Sequence, residues 1–484
     1  MSGSARSDFA YPLTGAFRDD GLPLGLDEYV AAGGYEGLRR AFALGRDAVI
    51  KELTDSDVRG RGGAGFSAGR KWGFMLRGPE APPLKYIACN ADEMEPGSFK
   101  DRILMERNPH LLLEGILIAG YATEATTGYI FIRGEYVRVA RVLDTAIAEA
   151  LAAGYLGDDV LGSGFGFQVF THLSAGRYLC GEASAMLNAL EGKRANPRAR
   201  PPHMTGAGLW GQPTVVNNVE TLCCAPPVLR HGAQWWLGQG RTEEGGSKLY
   251  TVSGRVKRPG WWELPLGTPM REILEGHAGG MLDGYQARAV IPGGASTSFV
   301  AAADFDVAMD YRSMEAVGSR LGTGTMFVVD DKTCPVGVMA NLMHFFAQES
   351  CGWCTPCREG LQWAAALLDA IEDGVGQPDD LDRLRDIILD NGPELPFCDH
   401  SPGAMQPLES GLELFADEVR EHIASGCCSY RMVGAACYER RRGDRRRGER
   451  RAGGPGPGRR ATDGPAVRDR RAAPATGDPG GEAS

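Results

Sequence analysis

In the segment ESCGWCTPCREG, Cys351, Cys354 and Cys357 are separated by two residues each, and Cys398 follows 41 residues after Cys357 in LPFCDHSPGA. Three thiols in one tight loop and a fourth further along suit a 4Fe-4S cubane, in which each iron needs a thiolate. Gly352 and Pro356 let the loop curl so that three sulfurs converge. The alternative is a structural zinc site, although zinc usually takes two separated pairs and this loop carries a triplet. His344 and His400 read as packing or hydrogen-bonding residues. Cys89, Cys180, Cys223, Cys224 and Cys334 match no ligand motif and read as buried core thiols. Cys427, Cys428 and Cys437 fall in no motif that pairs them.

A second group of residues could bind a nucleotide. GRGGAG at 60–65 fits G-x-G-x-x-G, but TDSDVR before it is not a convincing strand, and no G-K-[ST] closes it as a phosphate loop. The glycines, followed by Arg70, Lys71 and Trp72, leave the backbone open to close approach by a flat or phosphorylated ligand; a plain turn is the other reading. NADEMEPG at 90–97 carries Asp92, Glu93 and Glu95 after a strand, CGEAS at 180–184 places Glu182 where a helix begins, and VVNNVETL presents Asn217 and Asn218 before another helix. Each alone is as consistent with a solvated loop, and their joint placement at strand ends favours function.

Alternating elements must position these groups. KYIAC at 85–89 reads as a buried strand ending at Asn90, helical spacing runs from about Leu104 to Ala125, YIFI at 129–132 is a second strand, Arg138–Ala153 is an amphipathic helix, and 165–170 is a third strand. Strands separated by helices imply a parallel, doubly wound sheet, with ligands beyond the carboxyl ends of its strands. Residues 193–216 are Pro- and Gly-rich and read as irregular; 248–299 have the rhythm of a small α+β module; Val336 to His422 are helical again. Residues 1–50 read as a lead-in with one or two short helices.

The chain has 484 residues, enough for several domains, with 43% apolar and 24% charged residues, a globular composition. Its net charge of −10 is asymmetric: residues 439–484 hold 13 Arg against 7 acids, so the preceding 438 residues carry −16, which argues against nucleic-acid binding as the main task. The Arg-, Gly- and Pro-rich segment after Tyr438 has the composition of a disordered tail. No signal peptide is visible in Met1 to Leu26, and the longest apolar segment, Leu111–Tyr121, contains Glu114 and is about half the length needed to span a bilayer. A cytosolic chain is expected, with reduced thiols, and docking on a membrane complex stays open.

Taken together, GRGGAGFSAGRKW, CNADEMEPG, GRYLCGEAS, ANPRARPP, PTVVNNVETL, ESCGWCTPCREG and FCDHSPGA closely resemble the family of NADH-quinone oxidoreductase F subunits, the NADH-binding flavoproteins of bacterial respiratory complex I. The likeness runs from about Pro12 to about Ile423. It implies an α/β fold class: a Rossmann-like FMN/NADH domain over 51–240, a β-grasp (ubiquitin-like, SLBB-like) module over 245–332, and a helical bundle over 333–425 carrying the 4Fe-4S cluster. Matched motif to motif, FMN falls to Gly60, Arg61, Gly62, Lys71, Asn90, Asp92, Gly181, Glu182, Asn217 and Asn218. NADH falls to Phe66, Lys71, Phe74, Glu95 and Tyr178, with aromatic rings stacking on adenine. The cluster falls to Cys351, Cys354, Cys357 and Cys398.

The same resemblance implies an NADH:quinone oxidoreductase of the translocase type. NADH surrenders two electrons as a hydride and the cluster accepts one at a time, so a flavin must stand between them; no side chain is needed as a nucleophile. The implied partners are the other peripheral-arm subunits, the 2Fe-2S protein (the E subunit) and the larger iron–sulfur protein (the G subunit), on the cytoplasmic side of the bacterial inner membrane. A diaphorase component of a soluble NAD-linked hydrogenase or formate dehydrogenase shares these motifs, and a zinc-stapled nucleotide-binding scaffold is an alternative of another class. One departure stands out: the family's C-G-E-E-T reads C-G-E-A-S here, so the second acid, which in the family faces the adenosine ribose, is Ala183.

Overall fold

The computed structural model describes residues 9–431; the Arg-rich tail lies outside the described residues. Four strands, β1 (Tyr86–Ala91), β2 (Thr127–Ile132), β3 (Gln168–Leu173) and β4 (Thr214–Asn218), form a sheet in the order β3-β2-β1-β4. All three pairings are parallel. The order reverses at β1, because β4 returns to its far side, and a crevice opens there beyond the carboxyl ends.

Side chains along β1 alternate between two cores, as the strand period of two requires. Ile87, Cys89 and Ala91 join the larger apolar cluster, with the helix Pro109–Thr123. Tyr86 and Ala88 join the opposite one, with Met186, Leu187 and Leu190 of the helix Ala183–Leu190. Helices thus cover both faces, and the sheet is doubly wound as its sequence rhythm implies. The helix Pro109–Thr123 is buried on nearly every side, and its one carboxylate, Glu114, accepts from the backbone N–H groups of Tyr35 (2.8 Å) and Leu38 (3.0 Å).

Several elements differ from expectation. The helical run from Leu104 is two helices, Lys100–Arg107 and Pro109–Thr123, because Asn108 caps the second through its side chain and Pro109 cannot continue the first. The third strand begins at Gln168 rather than Phe165; Phe165 and Phe167 are buried core residues. The lead-in holds three helices, Leu26–Ala31, Glu36–Leu44 and Arg46–Asp55. The segment read as irregular ends in β4.

A second sheet contains β5 (Ser247–Ser253), β6 (Gly260–Pro265), β7 (Ala287–Ile291), β8 (Val300–Ala301) and β9 (Thr325–Asp330) in the order β6-β5-β9-β7-β8. β5 pairs parallel with β9, and the other pairs are antiparallel. Helices Pro335–Glu349, Thr355–Glu372, Asp380–Asp390, His400–Leu414 and Ala416–Ser425 then pack around a core that includes Phe346, Leu361, Leu368 and Leu408.

A buried charge network ties the second sheet to the first. Glu220, just after β4, receives Lys248 of β5 at 2.8 Å and Lys100 at 3.0 Å, and accepts from the Leu249 backbone N–H at 2.9 Å. Lys100 also meets Asp101 at 2.7 Å. Burial opposes the charged form of Glu220, yet Lys248, Lys100 and Arg61 outweigh it and hold the group down at about 2.

Candidate functional site

Asn90 and Asn218 lie side by side at the ends of β1 and β4. The Asn218 amide donates to Asp101 Oδ2 (2.7 Å), and its Oδ1 accepts from the Glu220 backbone N–H (3.0 Å) and from Lys100 (3.3 Å). Asn217 Oδ1 accepts from Trp72 Nε1 at 2.9 Å. These bonds fix both asparagines from behind.

The glycine loop packs onto this edge. Gly60 N–H donates to Phe66 O (2.8 Å), which closes the loop. A Cβ on Gly62 would lie 3.1 Å from Asn218 Cβ, so the close approach of loop to strand favours glycine. Gly63, at φ +126°, faces open space. Arg61 turns inward: its backbone N–H donates to Thr221 Oγ1 (2.8 Å), and its buried guanidinium lies 5.9 Å from the Tyr311 ring. Lys71, on the helix Ala68–Gly73 that the loop feeds, donates to Val216 O at 3.2 Å. Burial lowers its pKa, with Arg200 adding to the effect. Phe66 and Phe74 flank this helix, 42% and 56% exposed, with ring centroids 6.2 Å apart.

Beyond β1, Asp92 Oδ1 accepts from Ser174 Oγ (3.0 Å), while its buried Oδ2 has no hydrogen-bond partner among the described residues. Burial pushes this carboxyl up to about 7. Asn90 Nδ2 donates to the carbonyl of Cys180 (3.1 Å), with Gly181 O at 3.4 Å. Gly181 is exposed. Glu182 caps the helix Ala183–Leu190, accepting from Ala185 N–H (2.8 Å) and Ser184 Oγ (2.6 Å), and pairs with Arg200 at 2.6 Å. Glu95 accepts from Tyr178 Oη (2.7 Å) and Ser296 N–H (2.9 Å), and desolvation raises its pKa.

The turn Tyr178–Gly181 leads directly to the thiols. Cys351, Cys354, Cys357 and Cys398 wall one cavity, together with Leu179, Pro197, Trp353, Phe397 and His400. Ser350 Oγ lies 3.1 Å from Cys357 Sγ. Burial pushes the Cys357 thiol up to about 11 and that of Cys398 up to about 12. His400 keeps to packing, with Nε2 at 2.9 Å from Phe346 O, and His344 pairs with Asp369 at 2.8 Å. Tyr178 packs on Phe345, Phe346 and His400, and its N–H donates to Glu349 Oε2 at 2.9 Å.

The donor sets fit the groups the sequence suggests. The buried Asp92 Oδ2, the open glycine backbone and the half-buried Lys71 ammonium suit an anionic, flat ligand with hydrogen-bonding edges. Four thiols around one small, mainly apolar chamber suit an iron–sulfur cubane. Sequence reasoning brings the cysteines and the crevice residues to notice but misses the supports: Ser174, Ser296, Glu349, and the Lys100–Glu220–Lys248 network. Only Glu220 carries a signal, as an acid in an otherwise apolar stretch after Asn218.

A doubly wound sheet with a polar crevice at its reversal, sharing a wall with a four-thiol chamber, defines the class of nucleotide-binding, iron–sulfur electron-transfer proteins. Family models described as the Nuo51 FMN-binding domain, the SLBB domain and the NADH-ubiquinone oxidoreductase-F iron-sulfur binding region match residues 53–226, 249–300 and 337–422. The chain is 50% identical over 424 residues to the NADH-quinone oxidoreductase F subunits of Salmonella typhimurium and of Escherichia coli, covering 87% of this chain and 95% of each relative. It is 47% identical to the NADH-quinone oxidoreductase F 2 subunit of Rhizobium meliloti, covering 84% of this chain and 96% of that one. Among solved structures, an NAD+-reducing [NiFe]-hydrogenase in the H2-reduced state is similar at 32% identity and a TM-score of 0.72, covering 81% of this chain and 65% of the hydrogenase chain. The chain belongs to the family of NADH-quinone oxidoreductase F subunits.

Proposed function

We propose that the crevice between β1 and β4 holds FMN through Gly60, Arg61, Gly62, Lys71, Asn90, Asp92, Gly181, Glu182, Asn217 and Asn218. NADH enters against Phe66, Lys71, Phe74, Glu95 and Tyr178, and Cys351, Cys354, Cys357 and Cys398 ligate the 4Fe-4S cluster. The chain is the NADH-oxidising component of respiratory complex I, with FMN and a 4Fe-4S cluster as cofactors and NADH as substrate. Bound FMN supplies a ring that accepts the NADH hydride and passes electrons on singly.

The chain's own residues position and shield. Lys71 and the open loop backbone neutralise and cradle phosphate, and Asn90 fixes the Cys180–Gly181 carbonyls at the crevice edge. Arg61 contributes a buried guanidinium whose Nε and Nη1 have no hydrogen-bond partner among the described residues, while Thr221 holds its backbone N–H. Phe66 and Phe74 offer ring faces to adenine. Leu179 and Pro197 keep water from the thiols.

The observation that carries the reading is the shared wall: the turn bonded to Asn90 also lines the cysteine chamber, so the two cofactors are neighbours. Anaerobic titration with NADH, followed optically and by electron paramagnetic resonance, tests it. Flavin bleaching with a cluster signal that grows in step is expected; a cluster that stays oxidised while the flavin cycles defeats it.

Domain limits follow the same reading: a lead-in over 1–50, the FMN/NADH domain over 51–240, a β-grasp module over 245–332, and the helical 4Fe-4S domain over 333–425. The mixed sheet with β5 and β9 parallel at its centre supports the β-grasp assignment. The E and G subunits of the complex are the expected neighbours, and the complex places the chain on the cytoplasmic face of the inner membrane. Among the described residues no helix is long and apolar enough to cross a membrane. The likeness to the hydrogenase supports a diaphorase role as second reading; co-purification with hydrogenase rather than complex I subunits would favour it. The zinc-stapled scaffold is set aside by the FMN and iron–sulfur family matches.

A further inference from the structure

Away from the cysteine chamber, three buried ligand-type groups meet at the far end of the helical domain. Cys334 caps the helix Pro335–Glu349, His422 sits in the last turn of Ala416–Ser425, and Cys428 lies two residues beyond that helix's C-cap, Gly426. One ligand atom from each lies within 4.8 Å of the other two, and all three residues are buried. We propose that Cys334, His422 and Cys428 form a structural zinc site that fastens the segment after the last helix to the start of the helical domain.

Local sequence gives Cys334 only as a core thiol and places Cys428 in no motif; the fold brings them together across more than ninety residues of chain, and adds a histidine that no motif marks. The geometry suits tetrahedral coordination. Cys334 Sγ lies 3.4 Å from His422 Nε2, and two ligands of a tetrahedral zinc with bonds of about 2.3 Å to sulfur and about 2.0 Å to nitrogen stand roughly 3.5 Å apart. His422 Nδ1 lies 2.7 Å from Glu418 O, so the donor hydrogen sits on Nδ1 and the Nε2 lone pair faces Cys334. Each sulfur accepts a backbone N–H, Cys334 from Gly337 (3.4 Å) and Cys428 from Arg431 (3.4 Å), the kind of outer bond that stabilises a thiolate.

Glu372 lies beside the group without joining it, so the fourth position falls to water. Glu372 Oε1 lies 3.8 Å from Cys428 Sγ, and Arg431 pairs with the same oxygen at 3.2 Å. Gly337 makes room: a Cβ there would lie 2.8 Å from Glu372 Oε2. The charges balance. Binding Zn2+ displaces two thiol protons, two thiolates neutralise the dication, and the carboxylate is matched by Arg431. Two sulfurs and one imidazole select zinc over hard oxygen-seeking ions, and zinc has no redox chemistry, so the site is independent of electron transfer.

The test is metal analysis of the full chain, purified anaerobically with its flavin and iron and without chelators after growth in zinc-replete medium. One zinc per chain is expected, with X-ray absorption showing two sulfurs and lighter atoms in its first shell. Cys351→Ser, which strikes the proposed iron–sulfur ligands, should lose iron and keep zinc. Cys334→Ser and Cys428→Ser should lose zinc and keep FMN. If these variants do not accumulate, cobalt substitution of the unmutated chain replaces them, with a sulfur-to-cobalt charge-transfer band expected. Wild-type protein with full iron and flavin but no stoichiometric zinc overturns the proposal. So does a four-sulfur zinc shell that disappears in Cys351→Ser, or a Cys334–Cys428 disulfide found after anaerobic alkylation.

Discussion

Asn90, at the end of β1, donates from its side-chain amide to the carbonyl of Cys180 at 3.1 Å, and Leu179, the next residue back, lines the cysteine chamber. One side chain therefore ties the crevice edge to the turn that walls the thiol chamber. Asn90→Leu should leave iron content unchanged while slowing reduction of the cluster by NADH, measured by rapid-mixing spectroscopy.

Cys398→Ala should lower iron content while FMN stays bound, because none of the proposed FMN residues belongs to the helical domain that carries the thiols. NADH oxidation with a soluble two-electron acceptor should persist and quinone reduction should stop. Iron and flavin assays with both acceptors check it.

Phe66 and Phe74 stand exposed to solvent beside Lys71. Replacing either with Ala should raise KM for NADH roughly 3- to 10-fold with kcat little changed, from the loss of a stacking face. Steady-state kinetics decide it.

Asp92 gives a pH dependence. Burial raises its pKa to about 7, so the folded chain binds this proton more tightly than the unfolded one. Between the ordinary carboxyl range and about pH 7 the native state then holds more protons, and stability falls as pH rises through that window. Asp92→Asn should therefore stabilise the flavin-free protein at pH 8 and leave it little changed at pH 4. Urea denaturation at both values measures this.

Ala183 opens the helix whose cap, Glu182, is paired with Arg200. With no acid at 183 to accept a ribose hydroxyl or repel a 2′-phosphate, discrimination against NADPH should be weak. Ala183→Glu should raise the NADH/NADPH ratio of kcat/KM roughly 10- to 150-fold, the equivalent of about 1.5–3 kcal/mol. Equal ratios in the two proteins would refute it.

The parts legible in the sequence are those with local signals. KYIAC and YIFI are contiguous apolar runs, and they form β1 and β2 within one or two residues of the expected limits. The cysteine triplet signals itself by spacing alone. β4 is hidden because it is only five residues long and ends a Pro- and Gly-rich stretch, so neither period nor length marks it. Glu220 is hidden for a different reason: its meaning depends on Lys248, 28 residues away, and on Lys100 from another element. The Cys334–His422 contact spans 88 residues, and no local pattern encodes such a meeting.

The chamber's walls have a consequence for engineering. Leu179 and Pro197 come from the nucleotide half of the chain, whereas the thiols come from the helical half. A chimera that transplants only 335–425 onto a foreign flavoprotein would carry four sulfurs into a socket open on one side, where oxygen and water reach the iron. A working exchange has to move the Tyr178–Gly181 turn and the Pro197 loop with it, so the natural unit of recombination is larger than the iron-binding sequence.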